Sequence, residues 1–234
     1  MICPCRELGE VRSSQRARTV FTVLRSRLTA VSLVSLLATA LLSLAVSRGH
    51  DGYHLESGAL HLIGRSSSVE SWAELADFLA VPVIAVVLIV SLVYGAERRV
   101  LPRVVVMAGF AAAAELINER IVKPVVQERI HGTLSFPSGH VTAVCATAVA
   151  MWVALYPVLG KRARLTTFWL GVAWTLLMSV AVVGAFWHTP IDAIGSILLS
   201  VGIVTAGAAI LGSGPVPAPP TTGPLKPVQE LERV

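Results

Sequence analysis

The stretch PSGHVTAVCATAVAMWVALYPVL, residues 137–159, decides how this chain folds. It opens on a polar cluster, Pro137-Ser138-Gly139-His140, and then runs to Leu159 without a charged residue. A second stretch, HTPIDAIGSILLSVGIVTAGAAIL at 188–211, repeats the design, with His188-Thr189-Pro190-Ile191-Asp192 ahead of the apolar run. A helix of about 20 apolar residues spans the hydrocarbon core of a bilayer. Ionisable groups at the mouths of such helices are costly and usually mark function. Two histidines, a carboxylate and a Ser-Gly turn in that position suggest a phosphate-handling site.

Composition agrees with burial in lipid. Of 234 residues, 54% are hydrophobic and 14% charged, against about 25% charged in soluble domains. Mean hydropathy is +0.72. These values predict an integral membrane protein with one membrane domain. The net charge of +5 then reads as a topology signal, and no nucleic-acid partner is expected. Arginine outnumbers lysine, and alanine and valine are abundant, which hints at a GC-rich bacterial source. Cys3, Cys5 and Cys145 fit neither a CxxC nor a zinc spacing and read as incidental thiols.

Working outward, six spans are predicted: Leu28–Ser47, Ala76–Gly95, Leu101–Val122, His140–Leu159, Thr167–Trp187 and Pro190–Leu211. Basic residues alternate between their connections. Arg6, Arg12, Arg16, Arg18, Arg25 and Arg27 precede the first span. Arg98, Arg99 and Arg103 follow the second, and Lys161, Arg162 and Arg164 follow the fourth. The positive-inside rule places these segments, and both termini, in the cytoplasm. The two polar clusters then face outward. Arg120, Lys123 and Arg129 stand on the outer side against the rule, which suggests that they bind something anionic.

The predicted organisation is a basic cytoplasmic tail over 1–27, a six-helix membrane domain over 28–211, and a disordered cytoplasmic tail over 212–234, rich in Pro, Gly and Thr. The first span is read as a retained anchor, because its basic lead and apolar run exceed those of a signal peptide. Trp72, Leu75 and Phe78 in the segment Val69–Phe78 suit an interfacial helix. His50, His54 and His61 are irregularly spaced and read as loop residues. Gly195, Gly202 and Gly207 suit close helix packing within a chain or between chains, so the oligomeric state stays open.

His188 and Asp192 are four residues apart, one helical turn, so a helix would project both from one face. A carboxylate there can accept a hydrogen bond from one imidazole nitrogen and leave the other to attack or bind. Pro190 suits the first turn of a helix, whose free N–H groups favour an anion. Ser138 is a good N-cap, and Gly139 permits close backbone approach by a phosphate oxygen. His140 is placed to protonate a leaving oxygen. Lys123, Arg129 and Arg120 supply positive charge. Glu115, Asn118 and Glu119 sit where they either order these groups or simply reach the interface.

Lys123, then Phe136-Pro137-Ser138-Gly139-His140, then His188 and Asp192 resemble the three-part motif of the type 2 phosphatidic acid phosphatase (PAP2) family, over about residues 76–205. The resemblance implies an all-α six-helix bundle and a metal-free, cofactor-free phosphatase acting on lipid phosphates or diphosphates at the outer face of a bacterial plasma membrane. Polyprenyl diphosphate, phosphatidic acid and phosphatidylglycerophosphate types are the candidate substrates. It further implies that His188 attacks phosphorus, that Asp192 orients it, and that His140 is the general acid. Lys123, Arg129, Ser138 and Gly139 would hold the phosphate, with Arg120 and Glu119 as accessory residues.

The chain departs from that family in two places. Arg129 follows Lys123 one residue early and precedes Ile130, with Glu128 where relatives carry a basic residue. Ala181 and Val182 stand where the third motif opens with Ser-Arg. Two other readings follow from the incomplete clamp or the shared chemistry: a membrane scaffold that binds lipid phosphates without hydrolysing them, and a lipid phosphotransferase.

Overall fold

Apolar length and its interruptions set the elements. The computed structural model describes residues 5–48, 67–130 and 133–211. Along the chain these form α1 (Cys5–Arg48), α2 (Ser67–Glu97), α3 (Leu101–Ile117), a π-helical turn (Asn118–Val122) and a last α turn, α4 (Lys123–Val126). A two-residue hairpin follows, β1 (Arg129–Ile130) with β2 (Thr133–Leu134), and then α5 (Gly139–Leu155), α6 (Lys161–Gly184) and α7 (Pro190–Leu211). Apart from that hairpin, the secondary structure is helical.

Among the described residues, five segments are long and apolar enough to cross a membrane: 25–48, 71–97, 101–126, 161–184 and 190–211. α5 has only 17 residues and ends four residues before the predicted Leu159. Pro157 has no N–H to carry the helical ladder further. Lipid does not set the length of this helix, because α5 packs against α2, α3, α6 and α7. The other helices turn broad apolar faces outward. Val81 is 73% and Val180 69% exposed, a surface that suits hydrocarbon and would aggregate in water. The chain is an integral membrane protein.

The core has two parts. One gathers Val104, Met107, Ala146, Ala150, Val204 and Ala208. The other gathers Ala80, Val141, Val144, Met178, Val182 and Ala193. Small residues on α7 let its neighbours approach. A Cβ at Gly202 would stand 2.7 Å from the Leu36 side chain, and Gly207 receives the Phe110 ring. These glycines therefore pack helices within the chain.

Lipid cannot compete for hydrogen bonds, so hydroxyls tie helices together. Ser196 Oγ donates to the Ser138 carbonyl at 2.9 Å, and Ser200 Oγ donates to the Thr142 carbonyl at 3.1 Å. Both bonds join α7 to α5, one turn apart. Ser32 Oγ likewise donates to the Gly202 carbonyl at 2.8 Å, joining α1 to α7.

Some boundaries differ from the sequence expectation. The amphipathic stretch at 69–78 is continuous with the second span in α2, with Trp72 and Phe78 exposed. From Cys5 onward the basic tail is helical and continuous with the first span. α6 begins at Lys161, taking the basic residues into its first turns. Cys3, His50, His54, His61 and the segment 212–234 lie outside the described residues.

Candidate active site

The starts of α5 and α7 meet at one end of the bundle. Thr189 and Asp192 form a reciprocal cap there. The Asp192 N–H donates to Thr189 Oγ1 at 3.2 Å, and the Thr189 N–H donates to Asp192 Oδ2 at 2.9 Å. This is a capping box with Asp in the place usually held by Glu or Gln, and Pro190 fills the first helical position. Asp192 is fully buried, and its Oδ2 also lies 3.3 Å from His188 Nδ1. The expected pairing therefore exists by a different route. His188 precedes the helix, and Asp192 reaches back to it across the cap. His188 itself arrives from a tight hook after α6. The Trp187 and His188 N–H groups both donate to the Val182 carbonyl, at 3.1 and 3.2 Å, and Phe186 takes a left-handed φ of 60°.

α5 is positioned by α7. The Ser138 carbonyl accepts from Thr142 N–H, Thr142 Oγ1 and Ser196 Oγ, at 3.1, 2.8 and 2.9 Å. The Phe136 ring is fully buried against Gly195. Ser138 occupies the N-cap position, yet its hydroxyl caps nothing and is buried without a partner among the described residues.

A cavity of about 440 Å³ opens beside these two helix starts. It is lined by His140, His188, Lys123, Gly139, Asp77, Glu115 and Glu119, with Trp187, Leu134 and apolar residues of α2 completing the wall. The rings of His140 and His188 stand 6.5 Å apart, centroid to centroid. In-line transfer needs about 3–3.5 Å from nucleophile to phosphorus and about 2.6–3.2 Å from acid to leaving oxygen. The space between the two rings is of the size of one phosphoryl group.

The π turn shapes the opposite wall. Glu115, Glu119 and Lys123 are spaced at four residues, which on an α-helix drifts about 40° per step. The wider π turn takes part of that drift back, and all three line the cavity. π turns of this kind recur at functional sites. Lys123 Nζ pairs with Glu119 Oε1 at 2.5 Å. A Cβ at Gly139 would stand 2.8 Å from Glu119 Oε1, 3.1 Å from Glu115 Oε1 and 3.6 Å from Lys123 Nζ. The missing side chain of Gly139 thus opens the cavity wall to this carboxylate–ammonium cluster.

The structure gathers His140, His188, Asp192, Lys123, Gly139 and Glu119, and leaves other expected residues outside. Arg120 is exposed and does not line the cavity. Arg129 does not line it either; it sits on β1 opposite Leu134, which does. Ser138 lies behind the wall. Glu128 does not face the cavity, and its carbonyl accepts the Ser135 N–H at 3.0 Å. Asn118 is fully buried, neither of its amide atoms has a partner among the described residues, and it does not line the cavity with the histidines. Val182, at the position of the family's arginine, is packed in the core with Val141, Val144 and Met178. Four contributors escaped the sequence reading: Asp77, Thr189, Ser196 and Trp187. Asp77 had a signal, an acidic residue at the start of the second apolar run.

Residues 114–212 match the family profile described as "PAP2 superfamily". No curated protein matches the chain at a significant level. The fold is similar to that in "Crystal structure of the first transmembrane PAP2 type phosphatidylglycerolphosphate phosphatase from Bacillus subtilis". That likeness has a TM-score of 0.62 at 15% identity and covers 75% of this chain and 93% of the other. The matched segment holds Lys123, Gly139, His140, His188 and Asp192. Residues 114–212 thus match the PAP2 superfamily profile, within a helical membrane bundle whose fold is similar to that of this solved phosphatase.

Proposed function

We propose that this protein is a lipid-phosphate phosphatase working through a phosphohistidine on His188, with its cavity on the extracytoplasmic side of a bacterial plasma membrane. The observation that carries the reading is the cavity itself, where two histidines face each other at 6.5 Å with a buried carboxylate behind one of them. His188 Nε2 attacks phosphorus as the bond to the lipid oxygen breaks, and His140 gives that oxygen a proton. Asp192 keeps the Nδ1 proton of His188 in place and faces the positive charge of the phosphorylated ring. Water then attacks phosphorus and gives a proton to His140 Nε2, the P–N bond to His188 breaks, and inorganic phosphate leaves. Lys123 and the backbone around Gly139 hold the phosphate oxygens.

The apolar residues Ala80, Val81 and Ile84 continue the cavity wall down α2, which suits a lipid tail. The outward placement rests on charge. Arg103 Nη2 donates to the Val153 carbonyl at 3.4 Å, about 20 Å along α5 from His140. Arg98, Arg99, Lys161, Arg162 and Arg164 belong to the same end, which the positive-inside rule assigns to the cytoplasm along with the tails 1–27 and 212–234.

A lipid-phosphate-binding protein without turnover is the second reading, favoured by Val182, which packs in the core where the resemblance calls for an arginine and leaves Lys123 as the one permanent cation among the described lining residues. The two separate in a direct assay of purified full-length protein. Phosphatidic acid, phosphatidylglycerophosphate and a polyprenyl diphosphate are presented in detergent, and phosphate release is measured. Turnover is expected. Binding of these lipids with no release from any of them would overturn the enzyme reading.

The same cluster gives a finer expectation. Glu119 competes with substrate for Lys123. Glu119→Gln is therefore expected to lower KM for the lipid phosphate by about two- to fivefold, the scale of one partly exposed ion pair. Steady-state kinetics check this; a raised KM would mean that Glu119 instead holds Lys123 in position.

A further inference from the structure

Asp77 is the one residue of α2 whose charge enters the cavity among the described lining residues. Its Oδ1 lies 2.6 Å from His140 Nε2, a strong charge-assisted distance. His140 Nδ1 is buried and has no partner among the described residues. A carboxylate can only accept, so this contact needs a proton on Nε2. Both side chains line the cavity and are about two-fifths exposed, at 41% and 42%, so the bond is within reach of an incoming substrate. The His140 ring also lies 6.3 Å from the Trp187 ring, tilted by 41°.

We infer that Asp77 is a positioning residue for the leaving-group step: by accepting the Nε2 proton of His140 it holds that ring at the cavity with the proton on Nε2, until the departing lipid oxygen takes the place of Asp77 as acceptor. The inference rests on the phosphatase reading above. It gives each histidine of the cavity its own carboxylate, Asp192 from the α7 cap for His188 and Asp77 from α2 for His140. In the step itself the P–O bond to the lipid breaks as His188 Nε2 bonds phosphorus. The electron pair stays on the lipid oxygen, and the Nε2 proton of His140 moves to it. Asp77 loses its hydrogen bond to the proton that has moved and takes no atom. Because α2 also forms the apolar wall at Ala80, Val81 and Ile84, the same helix would set both the depth of the lipid tail and the aim of the acid.

Proton delivery matters for an alkoxide leaving group and hardly at all for a stabilised phenolate. That difference separates aiming from a merely structural tie between α2 and α5. The experiment measures kcat/KM of the full-length protein for n-octyl phosphate and for p-nitrophenyl phosphate, in the wild type and in Asp77→Asn and Asp77→Ala. Both variants are expected to lose about ten- to a hundredfold on octyl phosphate, the scale of removing a group that orients a working histidine. On p-nitrophenyl phosphate they are expected to lose less than about threefold on the same argument. In a His140→Ala background, Asp77→Ala is expected to add no further loss, since it acts through His140. Equal losses on both substrates would overturn the inference in favour of a structural tie. Unchanged or increased activity on octyl phosphate would overturn it by showing that Asp77 stands in the leaving oxygen's way. His188→Ala in parallel tests the parent reading separately: activity that survives this variant would sink the phosphatase mechanism and not merely the role of Asp77.

Discussion

His188→Ala is expected to lower lipid-phosphate turnover by about four orders of magnitude, the scale on which removal of a covalent nucleophile acts. The size follows from the site. Among the described residues, no other group combines a nitrogen in the cavity, a buried carboxylate on its far side and a 6.5 Å approach to a second histidine. Lys123 and Gly139 would still bind the phosphate, so KM is expected to change much less than kcat. Stability is expected to hold, because the Thr189–Asp192 cap does not require the imidazole. Phosphate release from phosphatidic acid, followed beside thermal denaturation, checks both expectations. A variant retaining more than about a tenth of wild-type turnover would mean that another residue attacks phosphorus.

The second large effect is structural. Gly195→Val is expected to destabilise the protein by about 1–3 kcal/mol, the cost of forcing extra methyl groups into a packed core. It is also expected to remove most of the activity. A Cβ at residue 195 would stand 2.6 Å from two carbons of the Phe136 ring. Phe136 is fully buried and cannot step aside. It is joined to Pro137, Ser138, Gly139 and His140, so displacing the ring moves the acid and the phosphate cradle together. Gly109 on α3 provides the control. A Cβ there meets nothing within 4 Å, and Gly109→Ala is expected to be neutral or to stabilise by up to about 1 kcal/mol through reduced backbone freedom. Melting temperature and turnover measured on both variants test the contrast. Equal behaviour would mean that the Phe136 seat does not position the site.

Much of this was legible in the sequence because hydrocarbon is a demanding solvent. Apolar length alone delimits five membrane-crossing segments to within a turn or two, though not the helical extensions of α1 and α2 ahead of them, and the polar clusters at 137–140 and 188–192 announce themselves against it. What stayed hidden depends on pairing between distant segments. Ser196 and Ser200 look like two small residues in an apolar run until their carbonyl partners at 138 and 142 are known. Asp77 looks like the polar end of a span until α2 lies against α5. His188 and Asp192 do pair, but not across a helical face, because the capping role of Thr189 puts the histidine before the helix begins. The charge of Arg120 and Arg129 suggested a clamp. The π turn instead brings Glu115, Glu119 and Lys123 to the cavity, and periodicity does not reveal a π turn in advance. Val182 was legible as a departure, and the structure supplies its consequence: that position is filled by core packing, with Lys123 left as the one permanent cation among the described lining residues.

The cavity's acidity and its single lysine bear on how the reaction would work. Phosphate affinity from charge alone would be modest, since Glu119 already pairs with Lys123. Binding would then lean on the lipid tail against α2 and on the backbone around Gly139. Catalysis would lean on the histidine pair. Covalent capture by a nucleophile held from behind by a buried carboxylate is therefore the central claim.

Trapping the covalent intermediate tests it most directly. The full-length protein is mixed with a lipid phosphate labelled at phosphorus and quenched in base, where phosphohistidine survives. It is then digested and mapped by mass spectrometry. The account predicts label on His188, none in His188→Ala, and label that accumulates when water attack is slowed. Turnover that proceeds with label on another residue, or with no label on His188 at any quench time, would contradict it.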